Sequence, residues 1–106
     1  MISKLGQKML FKFDPETAHG LSLTALKTGL PLGCAPVADK ALAVKVAGLS
    51  FANPLGMAAG YDKNGEVPDA LIRLGFGFAE IGTVTPLAQP GNPKPRIFRL
   101  TKDNAV

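Results

Sequence analysis

The sequence predicts an α/β fold in which a small helical hairpin precedes parallel strands. Three observations predict it. Residues 55 to 84 read strand, helix, strand, the pattern of one right-handed crossover unit. Residues 2 to 27 carry helical spacing and a strong helix start. Between the two, residues 29 to 40 hold Pro31, Gly33 and Pro36 and read as a linker.

The first helix is expected over residues 2 to 13, where Ile2, Leu5, Met9, Leu10 and Phe13 share one face. Lys4, Lys8 and Lys12 repeat beside that stripe with no acid to offset them. Such a segment can lie on an anionic membrane surface. The plainer alternative is a helix that caps its own core and turns its lysines to water. Asp14-Pro15-Glu16 starts a second helix: an oxygen for the N-cap, a proline suited to the first turn, and an acid at the positive end of the dipole. Lys27 suits its last turn and Gly29 its stop, with Ala18, Leu21, Ala25 and Leu26 as the apolar side.

Leu42, Val44 and Val46 alternate, Ala47-Gly48 turns the chain, and Leu49 and Phe51 resume, which predicts an antiparallel hairpin. Leu55 to Gly60 is then a buried strand of small residues. Glu66 to Leu74 is a helix with Leu71 and Leu74 inward and Gly75 as its stop, and residues 78 to 84 form a second strand. Pro86 to Pro95 is a loop. Arg96-Ile97-Phe98-Arg99-Leu100 alternates cation and apolar residue and suggests an exposed strand. Two parallel strands are too few for a sheet whose faces must both be covered, so the chain is expected to be the front part of a larger protein.

Composition excludes several classes of function. Its 106 residues make one small domain, and 46% hydrophobic content with a net charge of +4 argues against disorder. The twelve basic residues are scattered, with one Tyr and no Trp, so nucleic-acid binding is not expected. Cys34 has no cysteine partner and His19 is the sole histidine, which leaves no disulfide and no expected metal site. No apolar run approaches the ~20 residues of a membrane span, and the first residues lack the features of a secretory signal. A reducing compartment, cytosolic or at a membrane surface, follows.

The candidate site is the stretch Asn53-Pro54-Leu55-Gly56-Met57-Ala58-Ala59-Gly60-Tyr61-Asp62-Lys63-Asn64-Gly65-Glu66. A strand of Gly, Ala and Met leaves room above its end, where a flat cofactor could lie against bare backbone. Lys63 falls at the strand's C-terminal end, where folds of alternating strands and helices place their chemistry.

This stretch, with Gly-Phe-Gly-Phe-Ala-Glu-Ile-Gly-Thr-Val-Thr-Pro (75 to 86) and Gln-Pro-Gly-Asn-Pro-Lys-Pro-Arg-Ile-Phe-Arg-Leu (89 to 100), closely resembles dihydroorotate dehydrogenase. Leu-Phe-Lys-Phe-Asp-Pro-Glu-Thr-Ala-His (10 to 19) resembles the extension of its quinone-dependent, membrane-associated class. The resemblance spans nearly the whole chain and about the first third of a family member. It implies the start of an FMN-binding eight-stranded α/β (TIM) barrel over residues 41–106, behind a helical membrane and quinone-tunnel domain with its linker over residues 1–40. It implies oxidation of dihydroorotate to orotate in pyrimidine synthesis, with electrons passing through FMN to a membrane quinone. It also implies peripheral association through residues 1–28 on the cytoplasmic side of the cell membrane.

By position, the resemblance makes Ala59, Gly60, Tyr61, Asp62 and Lys63 the FMN loop, and Thr83 a second contact to the flavin. Lys63 would also meet the substrate carboxylate, and His19 and Arg99 would line the quinone tunnel. The catalytic base, a serine in this class, is expected beyond Val106, so the 106 residues alone should be inactive and hold FMN weakly or not at all. By themselves the residues allow plainer roles. Lys63 could be a solvated loop lysine, Thr83 an ordinary strand residue, His19 structural and Arg99 an edge-strand charge. Tyr61 and Asp62 could contribute backbone alone. Two other readings stand beside the main one: another FMN barrel of the dihydropyrimidine or dihydrouridine type, or a truncated, non-catalytic membrane-surface module.

Overall fold

The computed structural model describes residues 2–29, 39–103 and 105–106. Cys34 and most of the expected linker lie outside them. Helix α1 spans Ile2–Leu10 and α2 spans Pro15–Lys27. The first helix ends three residues earlier than the apolar spacing predicts. Lys12 and Phe13 make tighter turns to the carbonyls of Met9 and Leu10. Pro15 is the physical reason, since the residue before a proline is driven into extended backbone, and Asp14 has φ −58° and ψ 154°. Asp14 then accepts the Thr17 N–H at 3.0 Å as an N-cap. At the other end Gly29 takes φ +68° and donates to Leu26 O at 3.2 Å, the expected stop.

The core lies between α2 and a short helix α3, Pro68–Arg73. Leu26 meets Val67, Ala70 and Leu71, with Leu23, Met57, Tyr61, Leu74, Phe76 and Ala79 around them. Ala18 is also buried, but Leu21 is 41% exposed. The inward stripe therefore runs along Ala18, Ser22 and Leu26, four residues apart, and Leu21 falls beside it.

The expected hairpin forms as β1, Val44–Val46, and β2, Leu49–Phe51, in the register Val44↔Phe51. Ala47 and Gly48 both take positive φ, the turn whose twist matches such strands.

Strands β3, Gly56–Met57, and β4, Phe78–Ala79, pair in parallel and α3 crosses between them. Both are shorter than the sequence suggests. Regular pairing ends at Met57 and Ala79, and Gly60 and Gly82, at φ +102° and +114°, keep the expected strands from running on to residues 60 and 84. The register nevertheless continues. Asn53 Nδ2 donates to Gly75 O at 3.0 Å across 22 residues. Gly56↔Phe78 and the Gly60 N–H···O=C Gly82 bond, 2.9 Å long, keep the same offset. The Phe78 ring lies over Gly56 and tilts against Phe51 with centroids 5.3 Å apart, joining the hairpin to the parallel pair.

Residues 96–100 correct an expectation. They form no strand; Leu100 alone bridges to Ala105. A strand needs a neighbour, and among the described residues this segment has none. Its alternation survives as Ile97 and Arg99 half-buried and Phe98 exposed, so a cation is turned inward.

Candidate functional site

The loop after β3 divides its side chains between two tasks. Ala58, Ala59, Gly60 and Lys63 are exposed, while Tyr61 and Asp62 turn inward. A Cβ placed on Gly60 would meet nothing within 4 Å, so open space lies over bare backbone. Thr83 is exposed and follows Gly82, to which Gly60 is bonded. The candidate cofactor residues Ala59, Gly60 and Thr83 thus gather at the C-terminal edge of the parallel pair. The Lys63 side chain has no hydrogen-bond or ion-pair partner among the described residues.

Asp62 is 1% exposed. Its two oxygens accept the Glu66 and Val67 N–H groups at 2.8 Å each, and its carbonyl accepts the Gly82 N–H at 3.2 Å. The carboxylate serves the entry to α3, and the main chain serves the facing loop.

Tyr61 is held at both ends by α2. Its carbonyl accepts from His19 Nε2 at 2.7 Å. A carbonyl cannot donate, so Nε2 carries the proton. Ser22 Oγ donates to His19 O at 2.7 Å and lies 2.9 Å from the Tyr61 hydroxyl. Having used its one proton, Ser22 accepts from Tyr61. The His19 and Tyr61 rings also approach, with centroids 5.3 Å apart.

Arg99 caps α1. It donates to Phe13 O at 2.8 Å, Leu10 O at 3.2 Å and Phe11 O at 3.3 Å, and lies 4.9 Å over the Phe11 ring. Leu10 O belongs to the last residue of the helix, where its dipole is negative, and Phe11 O and Phe13 O follow in the turn after it. His19, Arg99, Gly60 and Tyr61 then line one open groove of about 370 Å³, with Leu10 and Ile97 among its apolar walls. The structure thus brings the two candidate tunnel residues to the side of the candidate cofactor loop.

Glu16 stands at the start of α2. Hydrogen bonding from Arg96 and, secondly, Lys94 holds its carboxyl below the usual range. Asp14 is likewise held low by its bonds with Thr17. Among the described residues no three His, Cys, Asp or Glu side chains gather as a metal would need, and no helix is long and apolar enough to cross a membrane.

The sequence profile of dihydroorotate dehydrogenase matches residues 41–106. The chain belongs to the dihydroorotate dehydrogenase family. It is 70% identical over all 106 residues to the dihydroorotate dehydrogenase (quinone) of Mesorhizobium japonicum, covering 30% of that protein. Against the mitochondrial dihydroorotate dehydrogenase (quinone) of Cyclocybe aegerita it is 68% identical over its whole length, and covers 32%. The crystal structure of the Eimeria tenella dihydroorotate dehydrogenase with ferulenol superposes on 85% of the chain with a TM-score of 0.80 and 49% identity, which is 24% of that structure. The chain therefore spans about 30% of the length of the curated relatives it matches.

Reading the dihydroorotate dehydrogenase motifs alone missed several residues of this site. Ser22 carries no motif signal. The Asp62 carboxylate gave no capping signal either, since it lies five residues before the N-cap Val67, outside the reach of the usual capping pattern. Glu16, Lys94 and Arg96 meet across 80 residues of chain, and no local pattern reports such a pair.

Proposed function

We propose that the chain is the first part of a quinone-dependent dihydroorotate dehydrogenase. Residues 1–40 form a helical domain with its linker, and residues 41–106 begin an eight-stranded barrel that binds FMN. The observation that carries this reading is the groove where His19 and Arg99 meet Gly60 and Tyr61. A tunnel wall and a cofactor loop must share such a border if electrons are to pass from one to the other.

The residues present fit a flavin. Ala58, Ala59 and Gly60 offer main chain without bulk, and the space above Gly60 is open. Ala59, Gly60, Tyr61, Asp62, Lys63 and Thr83 would hold FMN, with Tyr61 and Asp62 acting through their backbones because their side chains are engaged inward. When bound, FMN supplies two-electron acceptance from dihydroorotate and onward transfer to the quinone. Lys63 would meet the dihydroorotate carboxylate and would hold a positive charge beside the bound ring, an effect that is strongest where water is excluded. Its lack of a partner among the described residues suits this double role.

Helix α1 supports a membrane-surface role. Leu5 and Met9 are 65% and 53% exposed, Phe11 and Phe13 follow, and Lys4, Lys8 and Lys12 accompany them. An amphipathic, basic segment of this kind rests in a headgroup layer, here proposed to be the cytoplasmic side of the cell membrane, and admits quinone to the groove. Residues 1 to 28 form the peripheral contact.

The test is acceptor-dependent turnover. The full-length protein should purify yellow with FMN and oxidise dihydroorotate with a ubiquinone analogue, and not with fumarate or NAD. A colourless protein, or one preferring a soluble acceptor, contradicts the proposal. Liposome flotation should weaken when residues 1 to 13 are removed.

A further inference from the structure

Two arginines on one short segment grip the two sides of the hairpin turn. Arg99 holds the carbonyls at the end of α1, and Arg96 holds Glu16 at the start of α2. The Arg96 contact is built on both partners. Nε and Nη2 donate to the same Glu16 oxygen at 3.1 and 2.6 Å, and Lys94 reaches that oxygen at 3.3 Å. The third arm of the guanidinium, Nη1, turns back to the carbonyls of Asn92 and Pro90 at 3.3 and 3.4 Å. Gly91, at φ +74°, leaves the space Nη1 fills; a Cβ there would strike it. The loop is therefore wrapped on Arg96 and offered as one unit to α2.

The spacing links this contact to the groove. Glu16 and His19 lie three residues apart on α2, on neighbouring positions of one face. Arg96 and Arg99 are also three apart, with Ile97 between them lining the groove. The Glu16–Arg96 pair thus ties α2 to the segment one helical turn from His19 and three residues from Arg99, the two residues that bring α2 and the segment into the groove lining.

We infer that Glu16 and Arg96 are positioning residues for the groove: their ion pair seats the helical hairpin against residues 90–99 and so sets the separation of His19 and Arg99. Neither acts on the reacting atoms. The inference deepens the proposed quinone role of that groove and rests on it. A pair this exposed adds little to folding. Its effect falls on groove geometry, because each partner is also tied to a groove residue along its own chain.

The test compares the two half-reactions in the full-length, FMN-loaded protein. Glu16→Gln should raise KM for a short-chain ubiquinone analogue about fivefold. The single-turnover rate of flavin reduction by dihydroorotate should stay unchanged. Glu16→Asp, which keeps the carboxylate, should raise KM less than Glu16→Gln does. An unchanged KM in Glu16→Gln, an equal loss in both half-reactions, or an equal rise in KM for Glu16→Asp and Glu16→Gln overturns the inference. If the unsubstituted protein fails to reduce its flavin with dihydroorotate, the proposed function itself falls, and the two failures are told apart.

Discussion

The carboxylate of Asp62 accepts the backbone N–H of Val67 at 2.8 Å, in a setting that leaves Asp62 1% and Val67 3% exposed. The second oxygen takes the Glu66 N–H. One buried side chain thereby starts α3 and anchors the loop that carries Lys63. Asp62→Ala would orphan two donors near the core, and should lower stability by about 2–3 kcal/mol. Urea unfolding of the full-length protein measures this, and Asp62→Asn, which keeps one acceptor, should lose less.

Lys63 gives the opposite expectation. Its side chain has no partner among the described residues, so Lys63→Ala should leave the unfolding midpoint unchanged. If it holds charge beside the flavin, the same substitution should slow flavin reduction by dihydroorotate roughly 100-fold, the scale of one lost electrostatic contact to a transition state. Stopped-flow absorbance reads that rate. A tenth of that effect would assign Lys63 to solvent.

Gly77 tests the parallel register. Its N–H donates to Leu55 O at 2.8 Å, and a Cβ on it would strike the backbone carbonyl of Asn53. Backbone cannot swing aside as a side-chain tip can. Gly77→Ala should therefore cost about 1–3 kcal/mol, as forced overpacking does. Thermal unfolding followed by circular dichroism would show it.

Acid should weaken the Glu16–Arg96 contact. Arg96 and Lys94 hold Glu16 below its ordinary value of 4.5, and Thr17 holds Asp14 below its ordinary 3.8. A carboxyl depressed in the folded state contributes stability that is complete above its unfolded pKa and is lost as pH falls through the folded one. The Glu16 contribution should accordingly be intact at neutral pH and disappear below 4.5. An exposed pair adds little to folding, so the check is the titration itself: NMR of the carboxyl should place Glu16 below 4.5 in the parent and closer to that value in Arg96→Gln. A Glu16 titration that Arg96→Gln does not move would falsify this account.

Much of the chain was legible because its signals are local. Asp14-Pro15-Glu16 marked the start of α2, Ala47-Gly48 the hairpin turn, and Gly75 the end of α3. Each states a backbone need that few other residues meet. The crossover unit was legible for the same reason, and the motif from Asn53 to Glu66 pointed to the family. The strand assigned to residues 96–100 failed because alternation reports which side chains face the same way and says nothing about whether a neighbouring strand exists to pair with.

By itself, then, the sequence determined the helical hairpin, the parallel crossover and the side-chain-poor loop ending in Lys63. Only the tertiary structure decided that Asp62 and Tyr61 look inward, that His19 reaches the Tyr61 carbonyl, and that Arg96 and Arg99 clasp the two helices. The first set depends on residues within a few positions of one another. Apart from the short-range Asp62 bonds, the second depends on groups 39 to 89 residues apart, whose meeting is fixed by how helices and loops pack and by which buried donors lack a nearer acceptor.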